Sequence, residues 1–491
     1  MKKFIVFAVV LALLVPAAAF AATEFSLGGF IKLDAMWDSN NAVGKNINGL
    51  PARNNDGNAN HGRLKFTAQG SRFNLTIKGP QLWGAQVTGF LEMDFDSAER
   101  GGNPAAFSAS NNYIPRMRHA MFRFNWPTSE LLLGQYFSMF CEWYAESAED
   151  GPMQMTGTPT ARLAQIRFTQ KFLGDWTVAG LIGDANQVIL NTNTAAQTSY
   201  NANINNGQSA ETPQIQGKVQ YQHDWWGKAA YYGKPIPFTA SIVAGWQRNV
   251  IRSGQNLTTY GTLGDVIPAQ VDYGIQGVGN AFNTQNQYVN PWLLMGSLFI
   301  PVIPTHTANL AGTASILTQW WMGQGVEAFG FAGVNSNILK LEDATNASNR
   351  ANSQVYEAKL LKKFGGFVQG QYYFNNQWFV NAAYGISKAF GVSRSRFFNT
   401  AGQFGINGME YAMGDNAQTI QQASFTLWYR PIQAIKFGLQ YSYAAATYFA
   451  YALPTASNTG VPVGLGLTAN NVNRSNFGDD HRVEFVGFFY F

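Results

Sequence analysis

The sequence has little charge, one cysteine and, beyond its N-terminus, no apolar run long enough for a membrane-spanning helix. Charged residues make up 12% of the 491 residues, against roughly 25% in soluble proteins. A helical membrane protein would need several runs of about 18 apolar residues. A single cysteine, Cys141, excludes an internal disulfide, and no CxxC or CxxCH motif offers a metal or haem site.

Aromatic residues and glycine are abundant in place of charge. Aromatic side chains account for 14% of the residues, and the chain contains 50 glycines. The mean hydropathy is only −0.13, although 46% of the residues are hydrophobic. Such a composition is typical of a transmembrane β-barrel, which places its apolar residues at every second position of each strand.

The N-terminus has the pattern of a secretory signal peptide. Lys2 and Lys3 precede the apolar run 4–15, and Ala19-Phe20-Ala21 has the small-x-small form of a cleavage site. We expect cleavage after Ala21, which leaves 22–491 as the mature barrel; a retained anchor is the alternative. Loss of the two lysines lowers the formal charge from +5 to +3. This surplus is too small to indicate nucleic-acid binding.

Hydrophobic alternation of period two begins directly after the signal. One face of the first segment is apolar and the other is mixed and polar. The apolar face carries Phe25, Leu27, Gly29, Ile31, Leu33, Ala35 and Trp37. The last segment alternates in the same way and ends on the aromatic Phe491. Strands of this kind suit a wall between lipid and water.

The alternation predicts an all-β fold, an antiparallel barrel of about sixteen strands. The strands are expected near 24–38, 62–78, 84–95, 115–125, 131–140, 162–170, 176–183, 214–222, 237–248, 288–300, 312–322, 354–374, 378–390, 419–430, 434–447 and 481–491. A change of phase at Gly70-Ser71 suggests a bulge. The segment 316–322 is open to a helical interpretation, and 354–374 is long enough to bend at Gly365-Gly366.

The connections between these strands are of two kinds. Eight long polar loops, from 39–61 to 448–480, alternate with short connections rich in Gly, Pro, Asn or Asp. This asymmetry is typical of outer-membrane barrels, which have short periplasmic turns and long extracellular loops. We therefore expect both termini to be periplasmic.

Polar faces of the early strands carry the candidate pore-lining residues. If the apolar faces meet lipid, Arg63, Arg72, Glu92, Asp94 and Arg167 face the lumen. The segment 116–123 has cations at both even and odd positions, so the sequence does not show which of its faces points into the lumen. Cationic side chains are thus concentrated on the early strands of the wall.

Several early motifs resemble the DcaP-like family of trimeric outer-membrane porins. They are Gly29-Phe30-Ile31-Lys32-Leu33-Asp34-Ala35, Ser71-Arg72-Phe73, Phe90-Leu91-Glu92-Met93-Asp94-Phe95, Arg116-Met117-Arg118-His119-Ala120 and Gly134-Gln135-Tyr136-Phe137-Ser138. The resemblance covers mainly the first 140 residues. It implies a sixteen-stranded homotrimeric barrel that passes small, preferably anionic solutes such as dicarboxylates. The implied pore-lining residues are Arg72, Glu92, Asp94, Arg116 and Arg118. Some members carry a helical segment before the barrel, whereas the first strand here follows the signal almost directly.

The connection 141–161 is acidic and occupies the place of the loop that narrows the barrel in trimeric porins. Its carboxylates are Glu142, Glu146, Glu149 and Asp150. Opposite an arginine wall they would set a transverse field that favours charged solutes and penalises apolar ones. The alternative is that these charges only pair with one another and solubilise the loops.

Other chemistries have weaker support. The five histidines are isolated, and no HExxH, GxSxG or GxxxxGK[ST] motif occurs, so we predict no enzyme and no cofactor. A hydrolase assembled from distant strands stays an alternative. Aromatic pairs such as Trp225-Trp226 and Trp320-Trp321 favour an interfacial girdle over a sugar-binding track.

The sequence therefore predicts a multi-pass porin of the bacterial outer membrane. Its partners would be small hydrophilic solutes, membrane lipid and two further copies of the chain. The main alternative is a barrel without transport, serving as a structural or adhesive surface protein or as a sheath for an electron-transfer partner. A soluble secreted β-protein is the last alternative.

Overall fold

A computed structural model gives the architecture of the chain. It describes residues 23–40, 51, 54, 61–96, 115–149, 155–159, 161–186, 207–252, 286–330, 339–342, 357–390, 417–448 and 477–491. The predicted signal peptide 1–21 and Asp150 lie outside the described residues. Among the helices in these ranges, none has the length and apolar character that a membrane span requires.

Strands dominate the described chain. In order they are β1 Glu24–Asp38, β2 Arg63–Thr67, β3 Arg72–Leu82, β4 Ala85–Asp94, β5 Arg116–Asn125, β6 Ser129–Phe137, β7 Arg162–Phe172, β8 Trp176–Gly183, β9 Gln214–His223, β10 Ala229–Tyr231, β11 Lys234–Ile236, β12 Phe238–Trp246, β13 Asn249–Arg252, β14 Asn286–Val289, β15 Trp292–Ile303, β16 Ala314–Gln324, β17 Leu339–Glu342, β18 Glu357–Leu360, β19 Lys362–Tyr373, β20 Trp378–Phe390, β21 Ala417–Ile432, β22 Ile435–Tyr448 and β23 Phe477–Tyr490. Two short 3-10 helices span Gln208–Ala210 and Val326–Phe329.

The sheet closes into an antiparallel barrel. Each wall strand pairs with the next in the chain, and β1 closes the ring by pairing with β23. Strands β2 and β3 both pair with β1, end to end, so we count them as one wall strand. The barrel therefore has sixteen wall strands, as predicted. Three small hairpins, β10 with β11, β13 with β14 and β17 with β18, form separate sheets and are not part of the barrel wall.

Three local features refine the predicted strands. The phase change near Gly70-Ser71 is a complete break between β2 and β3, closed by a turn in which Ser71 N donates to Ala68 O at 3.0 Å. The segment 316–322 is strand and not helix, because β16 pairs with β15 and β19 along its length. The segment 354–374 divides between β18 and β19, and β19 continues through Gly366, whose φ is 153°.

Side chains alternate between two environments along the wall. Outward positions are apolar and exposed; Leu27 and Leu64 are each 67% exposed. Inward positions are polar and buried, such as Lys32, Asp34 and Gln369. An isolated soluble domain rarely exposes so much continuous apolar surface, whereas a barrel in lipid requires it.

The two ends of the barrel differ in their connections. At the end where β1 begins and β23 stops, neighbouring strands are joined by tight turns such as Trp83-Gly84 and Leu173-Gly174-Asp175, where Trp83 and Leu173 have positive φ. The other end carries eight long connections, as predicted. Of these, the connection between β6 and β7 folds into the barrel, and it organises the interior.

Candidate functional site in the barrel interior

The connection between β6 and β7, residues 138–161, is here called the inner loop. Its described residues hydrogen-bond to inward-facing side chains on strands that lie far away in sequence, which places the loop inside the barrel. Ser138 Oγ donates to Gln216 Oε1 on β9 at 3.0 Å. At its far end, Thr156 N donates to Gln422 Oε1 on β21, also at 3.0 Å. The loop therefore crosses from one part of the wall to another.

Glu146 is the central anchor of the inner loop. Its carboxylate forms a buried ion pair with Lys436 of β22 and accepts a hydrogen bond from Gln371 Nε2 at 2.8 Å. Its backbone N–H donates to Gln369 Oε1 at 2.7 Å, and its carbonyl oxygen accepts from Asn381 Nδ2 at 2.5 Å. Every polar group of this residue thus has a partner, as a buried charge requires.

The residues after Glu146 extend the anchorage to the closing strands of the barrel. Ala148 N donates to Gln440 Oε1 at 2.7 Å, and Ala148 O accepts from Lys32 Nζ at 2.8 Å. The carboxylate of Glu149 lies 3.7 Å from Arg482 Nη1. The loop therefore touches β1, β22 and β23, where the barrel closes.

Close packing of backbones fixes the returning part of the loop. Trp321 Nε1 donates to Gly157 O at 2.7 Å. A Cβ added at Gly385 of β20 would overlap the carbonyl oxygen of Thr156. Only a glycine at this wall position lets the loop backbone approach so closely.

Glu142 anchors the start of the loop on a third part of the wall. Its carboxylate pairs with Lys218 Nζ of β9 at 2.9 Å and accepts a hydrogen bond from Ser241 Oγ at 2.6 Å. All three described loop acids are therefore ion-paired to bases of the wall on which the loop rests. Their partners in the structure are Lys218, Lys436 and Arg482, and the transverse field expected between the loop acids and the early arginines stays a prediction.

The early strands carry a separate cluster, called here the arginine wall. On β3 to β5, Arg118 pairs with both Glu92 at 2.7 Å and Asp94 at 2.5 Å. Arg116 also pairs with Asp94, at 2.8 Å, and Arg72 lies 3.8 Å from Glu92. The five residues predicted from the family motifs thus form one connected network.

A β-bulge explains the cations found at both parities of β5. Glu92 lies opposite His119. The next pair along the ladder is Met93 with Met117, so Arg118 is an extra residue. A bulge of this kind shifts the alternation by one residue. The arginines of β5 on the interior side are consequently Arg116, Arg118 and Arg123.

The arginine wall continues along the next strands. Arg123 Nη1 lies 3.1 Å from Glu130 Oε2, and Arg167 Nη2 lies 3.7 Å from Glu130 Oε1. Both guanidinium groups lie over the ring of Tyr136, within 5.7 Å of its centre. Such stacking adds a cation–π attraction and holds the guanidinium planes against the wall.

Arg63 belongs to a different network. Its Nε lies 2.5 Å from Asp38 Oδ2, and Arg482 Nε lies 2.6 Å from Asp38 Oδ1. Asp38 is therefore shared between the two bases where β1, β2 and β23 meet. Of the predicted residues, Arg63 and Glu149 thus lie beside the closing strands, Glu142 beside β9 and β12, Glu146 beside β19, β20 and β22, and the remaining described ones in the arginine wall.

Exposure varies within the interior: Arg118 of the arginine wall is only 6% exposed, and Lys218 beside the inner loop is 19% exposed. The side chains of Arg116 and Arg123 are 35% and 29% exposed, whereas that of Lys436 is 4% exposed. Sequence reasoning missed the partners Lys218, Lys436 and Arg482. Each occupies an inward position of a predicted strand, so the alternation of that strand could have indicated that its side chain faces the interior. In the described part of the chain, no group of His, Cys, Asp and Glu side chains is arranged to hold a metal ion.

A closed barrel of sixteen antiparallel wall strands, with the inner loop folded into it, has the architecture of outer-membrane porins. The crystal structure of the outer membrane channel DcaP of Acinetobacter baumannii has this fold, with a TM-score of 0.59, 14% identity, and coverage of 96% of this chain and 97% of that chain. The likeness confirms, at the level of fold, the resemblance drawn from the early motifs.

Further solved structures are similar over comparable lengths. Pseudomonas putida OprB matches with a TM-score of 0.47 and 9% identity, covering 96% of this chain and 94% of that chain. Salmonella typhi OmpF, solved in complex with daunomycin, matches with a TM-score of 0.47 and 10% identity, covering 96% and 98%. No protein-family model matches the sequence, and no curated protein is significantly similar to it.

Proposed function

We propose that the chain is a passive porin of the bacterial outer membrane for small hydrophilic solutes. The observation that carries the proposal is a pair of partly exposed arginines, Arg116 (35%) and Arg123 (29%), on an inward face of a barrel whose outer face is apolar. Exposed charge inside a barrel indicates water there, because a dry interior would bury and pair it fully. A hydrated path along the arginine wall supports diffusion of polar solutes.

We further propose a preference for anions. The described arginine wall brings together six guanidinium groups and four carboxylates, a surplus of positive charge. Its arginines are Arg72, Arg116, Arg118, Arg123 and Arg167, together with Arg162 of β7, which interacts electrostatically with Arg118 and Asp94. Its acids are Glu92, Asp94, Glu130 and Asp96, which lies 3.2 Å from Arg116. The pairing of loop acids with other bases supports this preference, since Glu142, Glu146 and Glu149 are neutralised elsewhere. Dicarboxylates are the solute class that the family resemblance implies.

The remaining expectations form part of the same proposal. Cleavage after Ala21 would deliver residues 22–491 to the outer membrane, with β1 starting at the periplasmic end. Residues 141–161, including Asp150, would act as the constriction, because their described part occupies the interior beside the arginine wall. A homotrimer is expected from the family resemblance. No catalytic step and no cofactor enter the proposal.

Single-channel conductance in planar bilayers tests the proposal directly. Purified protein should open stable ohmic channels, and a salt gradient should give a reversal potential of the sign that marks anion preference. A barrel that stays silent at all voltages would favour a structural or sheath role. Heat-modifiable mobility on gels and fractionation with the outer membrane test the location, and recovery in the soluble periplasm would contradict it.

A further inference from the structure

The connection between β9 and β12 is the longest at the end of the barrel that carries the termini, and it does not stay at the rim. Residues 229–236 form the hairpin of β10 and β11, called here the inner hairpin. Backbone hydrogen bonds between Lys228 and Thr305, at 2.7 and 2.8 Å, hold its base against the neighbouring connection. Ser315 Oγ, an inward group of β16, donates to Ala230 O at 3.1 Å. The hairpin therefore folds into the barrel.

The tip of the inner hairpin meets the inner loop inside the barrel. Tyr232 Oη donates to Ala145 O at 3.1 Å. Tyr231 Oη donates to Tyr144 O and accepts from Tyr144 N, both at 3.3 Å. Burial raises the pKa of both hairpin phenols well above the usual range, so their hydroxyl groups stay protonated.

Ring packing reinforces these hydrogen bonds. The ring of Tyr231 lies 4.9 Å from that of Trp143, which stacks on Phe299 of β15 at 5.8 Å. The ring of Tyr232 lies 5.5 Å from that of Tyr144 and 5.9 Å from Lys436 Nζ. Because Lys436 is the ion-pair partner of Glu146, the hairpin lies beside the base of the central anchor.

We propose that the inner hairpin is a positioning element of the pore, which holds residues 143–146 of the inner loop in place from the periplasmic end. The loop enters from the extracellular end and the hairpin from the opposite one. Tyr231 and Tyr232 are the positioning residues that join them. This inference rests on the proposed function for its effect on conductance, but the contact itself can be tested without transport.

The unique cysteine provides a reporter of the inner loop. Cys141 is buried, and its Sγ donates to Pro159 O at 3.4 Å and to Ala161 O at 3.3 Å. A small thiol reagent reaches it only when the loop opens. The test compares labelling rates and single-channel current noise of the wild-type barrel with those of Tyr231→Phe/Tyr232→Phe, which keeps both rings and removes both hydroxyl groups.

We expect the double Phe variant to label about tenfold faster at Cys141, which corresponds to about 1.4 kcal/mol of lost stabilisation, and to show larger current fluctuations. Tyr231→Ala/Tyr232→Ala should increase both effects if it folds. Tyr441→Phe is the matched control, since it removes a hydroxyl hydrogen-bonded to His481 on the outer face. Heat-modifiable mobility verifies the barrel in each variant.

Labelling and noise that match the wild type in the double Phe variant would overturn the proposal. Equal acceleration in the Tyr441→Phe control would also overturn it, because the effect would then be general loosening. If the wild-type barrel does not conduct, the porin function fails, whereas the labelling rates still decide whether the hairpin positions the loop.

Discussion

The inward faces of β16 and β19 to β22, which contact the inner loop, are called here the supporting wall. This wall and the arginine wall belong to the same barrel but differ in side-chain chemistry. On the arginine wall, charges pair with neighbours on adjacent strands; Arg118 is buried there, whereas Arg116 stays partly exposed. On the supporting wall, neutral amides such as Gln369, Gln422 and Gln440 bind the loop backbone and are buried. Strand alternation thus predicts that a position is polar, but the loop decides whether water reaches it.

The choice of amides on the supporting wall has a physical reason. Burying a hydrogen-bonded amide costs less than burying a charge, which needs an opposite charge and further donors or acceptors. The Glu146 carboxylate meets that demand through Lys436 and Gln371, while Gln369 and Asn381 bind the backbone of Glu146. Loss of one charge should therefore lower the free energy of unfolding more on the supporting wall than on the arginine wall.

The largest effect is expected from Glu146→Gln. This change leaves Lys436 as an unpaired charge in a buried site, which costs about 3–5 kcal/mol. Urea unfolding in lipid vesicles measures the loss. The double variant Glu146→Gln/Lys436→Met, which removes both charges, should recover most of it; equal stability of the wild type and the single variant would show that the anchor contributes nothing.

A smaller effect is expected from Gly385→Ala, which places a methyl group where the carbonyl oxygen of Thr156 lies. Overpacking of this kind costs about 1–3 kcal/mol and should push the loop away from the supporting wall and towards the arginine wall. Single-channel conductance should fall. Gly370→Ala is the control, because a Cβ there meets nothing within 4 Å; an equal change in both variants would contradict the packing described here.

The arginine wall is tested by Arg116→Gln/Arg123→Gln. A unit charge at about 8 Å in water contributes about 0.5 kcal/mol, so each lost charge should lower the anion-to-cation permeability ratio by a factor of about two or more. Reversal potentials in a potassium chloride gradient give this ratio. Lys78→Gln at the rim, which removes a cation paired with Glu24, should change it much less; equal shifts would place the selectivity elsewhere.

A separate prediction concerns the thiol of Cys141, which is a buried residue of the inner loop. Burial raises the pKa of its thiol to about 12, so only about one molecule in ten thousand carries the reactive thiolate at pH 8. Alkylation of the folded protein should therefore be slow at pH 8 and should accelerate as the pH rises towards 12. Urea-unfolded protein, with an ordinary thiol pKa, is the reference; similar rates in both states at pH 8 would show that the loop does not bury the thiol.

The wall could be predicted from sequence because its signal is local. Alternation over 15 residues, as in 24–38, or over 8, as in 176–183, indicates a strand without knowledge of its neighbours. The bulge at Arg118 escaped prediction, since the segment 116–123 fits both parities and only the ladder with β4 distinguishes them. Family motifs located Arg72, Glu92 and Asp94 correctly as one group, although their role as pore lining stays a prediction.

The interior contents could not be predicted because their contacts are long-range. Glu146 and Lys436 are 290 positions apart, and Tyr232 and Ala145 are 87 apart. Nothing in the segment 229–236 distinguishes a hairpin that folds inward from one at the rim. The sequence shows that the inner loop is acidic. The bases that pair with its acids lie on distant strands, and only the closed fold shows where those strands lie around the barrel.

The central claim is that water follows the arginine wall and is excluded from the supporting wall. It is tested most directly by adding a small anionic methanethiosulfonate to single-cysteine barrels, Arg123→Cys and Gln319→Cys, each combined with Cys141→Ala. Gln319 is an inward residue of β16 and is fully buried. We predict rapid labelling and a stepwise loss of current at position 123, with neither at position 319. Rapid labelling at 319, or none at 123, would contradict the account.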